Sequence, residues 1–162
     1  MNKNKSLKLA NAGMIAALYV VLTWIASLLG LASGAIQVRL SEAMTILPVF
    51  TAAAVPGLTV GCVLANLLTG CAAWDVVFGS VATLIGAAGT RLLKDKPLLA
   101  WIPPVVSNAA IVPVILIRVY GVPDAWWFLV LTVGAGEVIS CGALGLLLWK
   151  ALKNVPQIRN MK

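Results

Sequence analysis

The stretch around which this chain is organised runs from Ile36 to Pro48 and reads IQVRLSEAMTILP. It places an amide, a guanidinium, a hydroxyl and a carboxylate within six residues, at Gln37, Arg39, Ser41 and Glu42. Long apolar tracts lie on both sides, so this polar cluster needs a physical reason. It is either a loop at a membrane surface or the polar half of a binding site.

The composition of the whole chain places that cluster in a membrane protein. Hydrophobic residues make up 61% of the chain and charged residues 10%, against about 25% charged residues in average proteins. The mean hydropathy is +1.01, and only lipid can cover so much apolar surface. Uninterrupted apolar runs favour helices over barrel strands, in which polar and apolar residues alternate. We therefore predict an all-α integral membrane protein.

The net charge of +7 does not indicate nucleic-acid binding, because the basic residues are not gathered on one face. They flank the hydrophobic tracts, as the positive-inside rule describes for cytoplasmic loops. Ten of the twelve basic residues follow this pattern, and Arg39 and Arg118 on the outer half are the exceptions. The ten are Lys3, Lys5, Lys8, Arg91, Lys94, Lys96, Lys150, Lys153, Arg159 and Lys162. Histidine is absent and the three cysteines show no paired spacing, so no metal site is predicted.

Six transmembrane helices are predicted, with both termini in the cytoplasm and residues 1–162 forming a single domain. The tract 43–73 is too long for one span, because about thirty helical residues extend about 45 Å against a hydrocarbon core of about 30 Å. We place a break at the turn signal Pro56-Gly57, which also gives the even number of spans that the basic N-terminus and basic loop 91–96 require. The predicted spans are 7–29, 42–55, 57–70, 74–90, 97–120 and 124–152. The length of the first favours a retained span over a cleaved signal peptide.

Small residues recur at i,i+4 spacing in the first predicted span, at Ala12 and Ala16 and alongside them at Gly13 and Ala17. Such faces let another membrane helix approach closely. The spacing alone leaves two interpretations open. The residues either pack within this protein or form a docking face for a separate membrane subunit.

Three carboxylates lie within or beside the predicted spans, at Glu42, Asp75 and Glu137. Glu137 falls deepest, where an uncompensated charge costs on the order of 3 kcal/mol. It is therefore either an internally bonded core acid or part of a ligand or ion site facing a cavity. Glu42 and Asp75 open their helices, where the helix dipole favours a carboxylate even without a function.

Other polar and aromatic residues complete the predicted binding set. Arg39 either pairs with Glu42 three residues later or points into an outward-facing pocket, while Gln37 either lines that pocket or belongs to an exposed loop. Asn108 adds an amide and Trp74 an indole. Acids, an amide and an indole together suit a flat, donor-rich ligand such as a purine-like base. An amino acid or a cation fits the same residue types.

No catalytic residue is predicted. The chain lacks the G-x-x-x-x-G-K-[ST] phosphate loop, so it does not bind ATP by that route. Without histidine, no nucleophile–base constellation is visible. An enzyme is therefore not expected, and active transport would draw its energy from a partner or an ion gradient.

Several short motifs follow one another along the chain. They are Gln37–Glu42, Leu47-Pro48, Pro56-Gly57-Leu58, Asn66-Leu67, Trp74–Ser80 and Ala82-Thr83-Leu84. Their order resembles the QueT family, the substrate-binding S components of energy-coupling factor (ECF) transporters assigned to queuosine precursors. The resemblance implies a six-helix S-component bundle whose ligand pocket lies near the outer face, capped by the loop between the first two helices. It also implies a transmembrane coupling subunit and two cytosolic ATPases as partners, which would use the ATP, so no cofactor is expected in this chain.

The resemblance further implies a role for each site residue in capturing a 7-deazaguanine precursor, such as the aminomethyl form. Hydrogen bonds from the ligand would be accepted by the carboxylates of Glu42, Asp75 and Glu137. The Asn108 amide would add a contact, and the Trp74 indole would stack on the ligand. The Arg39 guanidinium would hold the loop over the pocket. The Ala12/Ala16 face is similar to the patch with which S components contact the coupling subunit. The implied location is the bacterial plasma membrane. Two alternatives stay open: an S component for another small vitamin-like ligand, and a non-transporting structural subunit of a membrane complex.

Overall fold

The computed structural model describes residues 3–31 and 36–159, and within these ranges the chain is helical with no strand. This confirms the predicted all-α class. In chain order the elements are α1 (Lys3–Leu28), a 3₁₀ helix (Leu40–Val49), α2 (Ala54–Leu68), α3 (Ala73–Leu92), a short 3₁₀ turn (Pro97–Leu99), α4 (Ile102–Arg118), α5 (Trp126–Glu137), a π-helical segment (Val138–Leu144), α6 (Gly145–Leu152) and α7 (Pro156–Arg159).

Four helices are long and apolar enough to cross a bilayer, and they make the chain a multi-pass membrane protein. They are Lys5–Leu28, Ala73–Leu92, Pro97–Arg118 and Trp126–Leu152, the last combining α5, the π-helical segment and α6. Two shorter apolar helices, Leu40–Val49 and Ala54–Leu68, lie between the first and second of these. The six helical segments therefore follow the order that the sequence predicts, with short second and third members.

The break inside the tract 43–73 lies at Phe50–Ala53, not at Pro56-Gly57 as predicted. Pro56 is the third residue of α2, and a proline in the first turn removes an N–H that has no partner within the helix. The segment before the break is a 3₁₀ helix instead of an α-helix. Pro48 lies inside it, and the Arg91 guanidinium donates to the Pro48 carbonyl at 3.0 Å, which holds the end of this helix.

The core lies where α1, the 3₁₀ helix, α2 and α3 meet. Its buried members are Ile15, Tyr19, Met44, Ala54, Leu58, Cys62, Ala65 and Ala87. Close packing of α1 on α2 depends on glycines, because a methyl group at Gly61 would lie 2.8 Å from the Tyr19 Cβ and 3.0 Å from the Ala16 Cα. This approach brings the Tyr19 side chain to the centre of the bundle.

Candidate functional site

A polar cavity of about 410 Å³ opens at one end of the bundle, between α1, the segment before the 3₁₀ helix, and the facing ends of α2, α3 and α4. Its volume falls within the range of about 300–1,000 Å³ that is usual for small-molecule sites. Most of its lining side chains carry a hydrogen-bonding group, namely Tyr19, Thr23, Ser27, Gln37, Arg39, Ser41, Asn66, Thr69, Asp75 and Tyr120. Of the predicted site residues, this cavity brings together Gln37, Arg39 and Asp75.

Asp75 is the carboxylate in the wall of this cavity. It lies in the first turn of α3 and is only 7% exposed. The Tyr120 hydroxyl donates to its Oδ2 at 3.0 Å and accepts from the backbone N–H of Ala72 at 3.1 Å. The Asn66 amide donates to the Asp75 backbone carbonyl at 3.4 Å. Tyr120 thus holds one carboxylate oxygen, and no hydrogen-bond donor to Oδ1 is found among the described residues.

The segment Ile36–Arg39 contacts α5 and the π-helical segment. The Arg39 backbone N–H donates to Ser140 Oγ at 3.1 Å, and any side chain at Gly136 would overlap the Gln37 carbonyl. Among residues 3–31 and 36–159 no carboxylate forms an ion pair with the Arg39 guanidinium, so the predicted alternative of an Arg39–Glu42 pair is not formed. Arg39 lines both the cavity and the small pocket beside Glu137.

Glu42 lies beneath the cavity instead of in its wall. It is 1% exposed, and the Tyr19 hydroxyl, which belongs to the cavity lining, donates to its Oε1. Its Oε2 has no hydrogen-bond partner among the described residues. Glu42 therefore acts on the cavity through Tyr19, whose orientation it fixes.

Glu137 occupies the same deeper layer. It is 6% exposed and lines a small pocket of about 10 Å³ with Gln37, Arg39, Val112 and Val133, which is room for about one water. The Cys141 thiol donates to its Oε2 at 3.2 Å. The buried Asn108 amide on α4 interacts with the same carboxyl group.

Trp74 points away from the cavity. It is 61% exposed and stacks on Phe78, with ring centroids 5.5 Å apart and ring planes inclined by 13°. Neighbouring residues on a helix differ by about 100° in direction, so Trp74 and Asp75 face different sides of α3. Inside the cavity the aromatic rings are those of Tyr19 and Tyr120.

A protein-family model matches most of this chain. The family model described as "QueT transporter" matches residues 9–154. The chain belongs to the QueT transporter family. This confirms the family resemblance and the prediction of a transport protein instead of an enzyme.

One curated relative is the queuosine precursor transporter QueT of Lactococcus lactis subsp. cremoris (strain MG1363). It is 33% identical to this chain over 97 residues, and the alignment covers 59% of this chain and 56% of the relative. The match thus spans little more than half of the relative's length. No solved structure matches the chain at a significant level.

The small-residue face of α1 divides into two parts. Ala16 is buried, and both Ala12 and Ala16 pack on α2, where a methyl group at Gly57 would lie 2.8 Å from the Ala12 carbonyl oxygen. Gly13 and Ala17 are exposed, and a methyl group at Gly13 would meet no atom within 4 Å. Internal packing thus uses one part, and the other stays available to a partner.

Seven cavity residues with hydroxyl, phenol or amide groups are not among the predicted site residues. They are Tyr19, Thr23, Ser27, Ser41, Asn66, Thr69 and Tyr120. The sequence carries a signal for two of them, because Tyr19 and Thr23 stand at i,i+4 spacing in an otherwise apolar helix and so share a face. Thr23 Oγ1 donates to Ser41 Oγ at 2.9 Å, which ties α1 to the 3₁₀ helix at the cavity wall.

Three potential metal ligands come together in the described structure, and none was predicted as a metal site. Single donor atoms of Glu42, Glu137 and Cys141 lie within 4.8 Å of one another, and all three residues are buried. The Tyr19 hydroxyl and the Cys141 thiol donate to the two carboxyl groups. Each carboxyl group thus accepts a hydrogen bond, while Glu42 Oε2 has no partner among the described residues.

Proposed function

We propose that this chain is the substrate-binding S component of an ECF-type importer and that it captures a queuosine precursor of the 7-deazaguanine type, such as the aminomethyl form. The observation that carries the proposal is the 410 Å³ cavity at one end of a bundle of apolar helices, in which most of the lining side chains carry a hydrogen-bonding group. Family membership supports the transport role, and the name of the lactococcal relative supports the ligand class.

The cavity chemistry suits the edge of a deazaguanine base. Such a base offers ring and exocyclic N–H donors, which the Asp75 carboxylate and the Asn66 carbonyl oxygen accept, and a ring carbonyl, which the Arg39 guanidinium contacts. The phenol rings of Tyr19 and Tyr120 provide flat apolar surface for the ring system. In this proposal Glu42, Glu137 and Asn108 hold the cavity residues in place from the deeper layer.

The proposed orientation places the cavity on the outer side of the bacterial plasma membrane, with both termini in the cytoplasm. The basic residues around Lys94 lie at the end of α3 opposite Asp75, as the positive-inside rule requires for a cytoplasmic loop. A ligand would enter past the segment Ile36–Arg39, which forms part of the cavity wall.

Transport in this proposal depends on partners. A transmembrane coupling subunit would dock on the exposed part of the small-residue face, at Gly13 and Ala17, where its helix could approach α1 closely. Two cytosolic ATPases would bind and hydrolyse the ATP, so this chain would need no cofactor of its own.

Calorimetric binding to the detergent-purified full chain tests the proposal. The aminomethyl and cyano deazaguanine precursors are titrated, with guanine as the comparison ligand. We expect Asp75→Asn to weaken precursor binding at least tenfold, which is a loss of about 1.4 kcal/mol. The matched control is Asp95→Asn, which makes the same change at an exposed position at the other end of α3 and should leave affinity unchanged.

A second variant separates the cavity wall from the deeper layer. Glu137→Gln keeps the shape of a residue that lines only the 10 Å³ pocket, so it should weaken binding less than Asp75→Asn does. The absence of binding of either precursor to well-folded protein would remove the queuosine assignment. Equal affinities of the Asp75→Asn and Asp95→Asn variants would remove this cavity as the site.

A further inference from the structure

A large groove, distinct from the polar cavity, lies on the outside of the bundle between α3 and α4. It encloses about 730 Å³ and is lined by Trp74, Phe78, Ile111, Val114, Ile115, Arg118 and Val119. The α4 residues among these are spaced by three or four positions and therefore form one face of that helix. Trp74, Phe78 and Val114 are exposed, so the groove opens sideways into the lipid and is separate from the polar cavity.

The groove has a polar end and an apolar end. Because α3 begins where α4 ends, Trp74 and Arg118 stand at the same end, while Ile111 and Phe78 lie deeper. From Arg118 to Ile111 the helix descends about 10 Å, which is about two-thirds of the hydrocarbon depth of one leaflet. Tryptophan and arginine at the entrance match the depth of lipid headgroups, and the aliphatic lining below matches the depth of acyl chains.

The positive charge of Arg118 at the entrance has no neutralising partner among the described residues. No carboxylate in the described ranges 3–31 and 36–159 forms an ion pair with the exposed Arg118 guanidinium. The nearest acid along α3, Asp75, faces the polar cavity and accepts from Tyr120. A guanidinium presents a rigid fork of N–H donors that matches the oxygens of a phosphate group.

We propose that this groove is a binding site for an anionic phospholipid, with one acyl chain lying along Ile111, Val114 and Phe78 and the headgroup phosphate on Arg118. Charge complementarity selects this occupant, because an apolar helix of a partner protein would leave the arginine unpaired at the entrance. The site lies on a different side of α3 from the ligand cavity, about 100° around the helix, and does not depend on the proposed transport function.

Native mass spectrometry of the full chain released from detergent tests this site. The probes are phosphatidylglycerol and phosphatidylcholine with identical acyl chains. A basic residue near an anionic lipid contributes roughly a fivefold preference, so we expect phosphatidylglycerol to bind about fivefold more tightly than phosphatidylcholine. Arg118→Gln should abolish this preference. Lys150→Gln, which removes one exposed cation at the other end of the bundle, should leave it intact.

A third variant tests the apolar part of the site. Val114→Trp fills the groove without altering its charge, and it should reduce the binding of both lipids. The proposal is overturned if neither lipid binds, if Arg118→Gln keeps the preference for phosphatidylglycerol, or if Lys150→Gln loses it to the same extent. Since Arg118 and Val114 are exposed, the fold is expected to tolerate these changes, and the thermal unfolding midpoint of each variant checks this.

Discussion

Replacing Gly61 by alanine gives a direct test of how α1 packs on α2. The added methyl group would lie 2.8 Å from the Tyr19 Cβ and 3.0 Å from the Ala16 Cα, whereas carbon atoms attract best at about 3.5–4.0 Å. Both neighbouring atoms belong to or adjoin the backbone, so they can move only if the helices separate by about 0.5–1 Å. Overpacking of this kind costs about 1–3 kcal/mol.

The matched control is Gly13→Ala on α1, where a methyl group would meet no atom within 4 Å. Both substitutions restrict the unfolded chain equally and favour the helix by up to about 1 kcal/mol, so the difference between them isolates the packing cost. Thermal unfolding of the detergent-purified variants measures it, with a midpoint shift of about 2–4 °C for each kcal/mol.

Gly61→Ala should also weaken ligand binding, because Tyr19 would move with α1 and its hydroxyl would lose its alignment on Glu42. Gly13→Ala should bind ligand as the unsubstituted chain does. A Gly61→Ala variant as stable as Gly13→Ala would refute the close approach of α1 and α2 and, with it, the placement of Tyr19 in the cavity wall.

Three further predictions concern hydrogen bonds. Tyr19→Phe leaves both Glu42 oxygens without a donor among the described residues and should lower the unfolding free energy by about 1–3 kcal/mol, measured by thermal unfolding. Tyr120→Phe should weaken ligand binding, measured by calorimetry, because it releases Asp75. Partial burial raises the pKa of the Tyr120 phenol above its ordinary value near 10. The difference in affinity between the variant and the unsubstituted chain should therefore be constant between about pH 6 and 9 and shrink only as the phenol ionises. Arg91→Gln frees the end of the 3₁₀ helix and should lower the unfolding free energy by about 1–3 kcal/mol. Lys94→Gln, at an exposed position nearby, should leave the unfolding free energy unchanged.

The sequence predicts the class and the order of the helices because hydrophobic tracts and flanking charges are local signals. It misplaces the break in the tract 43–73, because Pro56-Gly57 is a turn signal in one context and an acceptable first turn of a helix in another. Tertiary packing decides between these two contexts, because a glycine is needed at position 57, where α2 contacts Ala12.

The candidate site shows the same division. Charged residues stand out in an apolar chain, which is why Arg39 and Asp75 are found from sequence. The depth of a residue in the bundle and the direction of its side chain cannot be read from the sequence. Trp74 is therefore predicted beside the ligand, whereas its side chain faces outward. Tyr120 follows the end of α4 and reaches Asp75 only through the pairing of α3 with α4, which no spacing along the chain reveals.

The short helices have a consequence for the lipid around them. The 15 residues of α2 rise about 22 Å, well below the thickness of the hydrocarbon layer of about 30 Å. Its exposed Val60, Leu64 and Leu68 face the acyl chains directly. On this flank the bilayer must thin or the molecule must tilt, whereas Trp126–Leu152 on another flank is long enough to span it. The hydrophobic mismatch with the bilayer is therefore larger on the α2 flank than on the flank of Trp126–Leu152. Lipids with longer acyl chains should increase this mismatch on the α2 flank only.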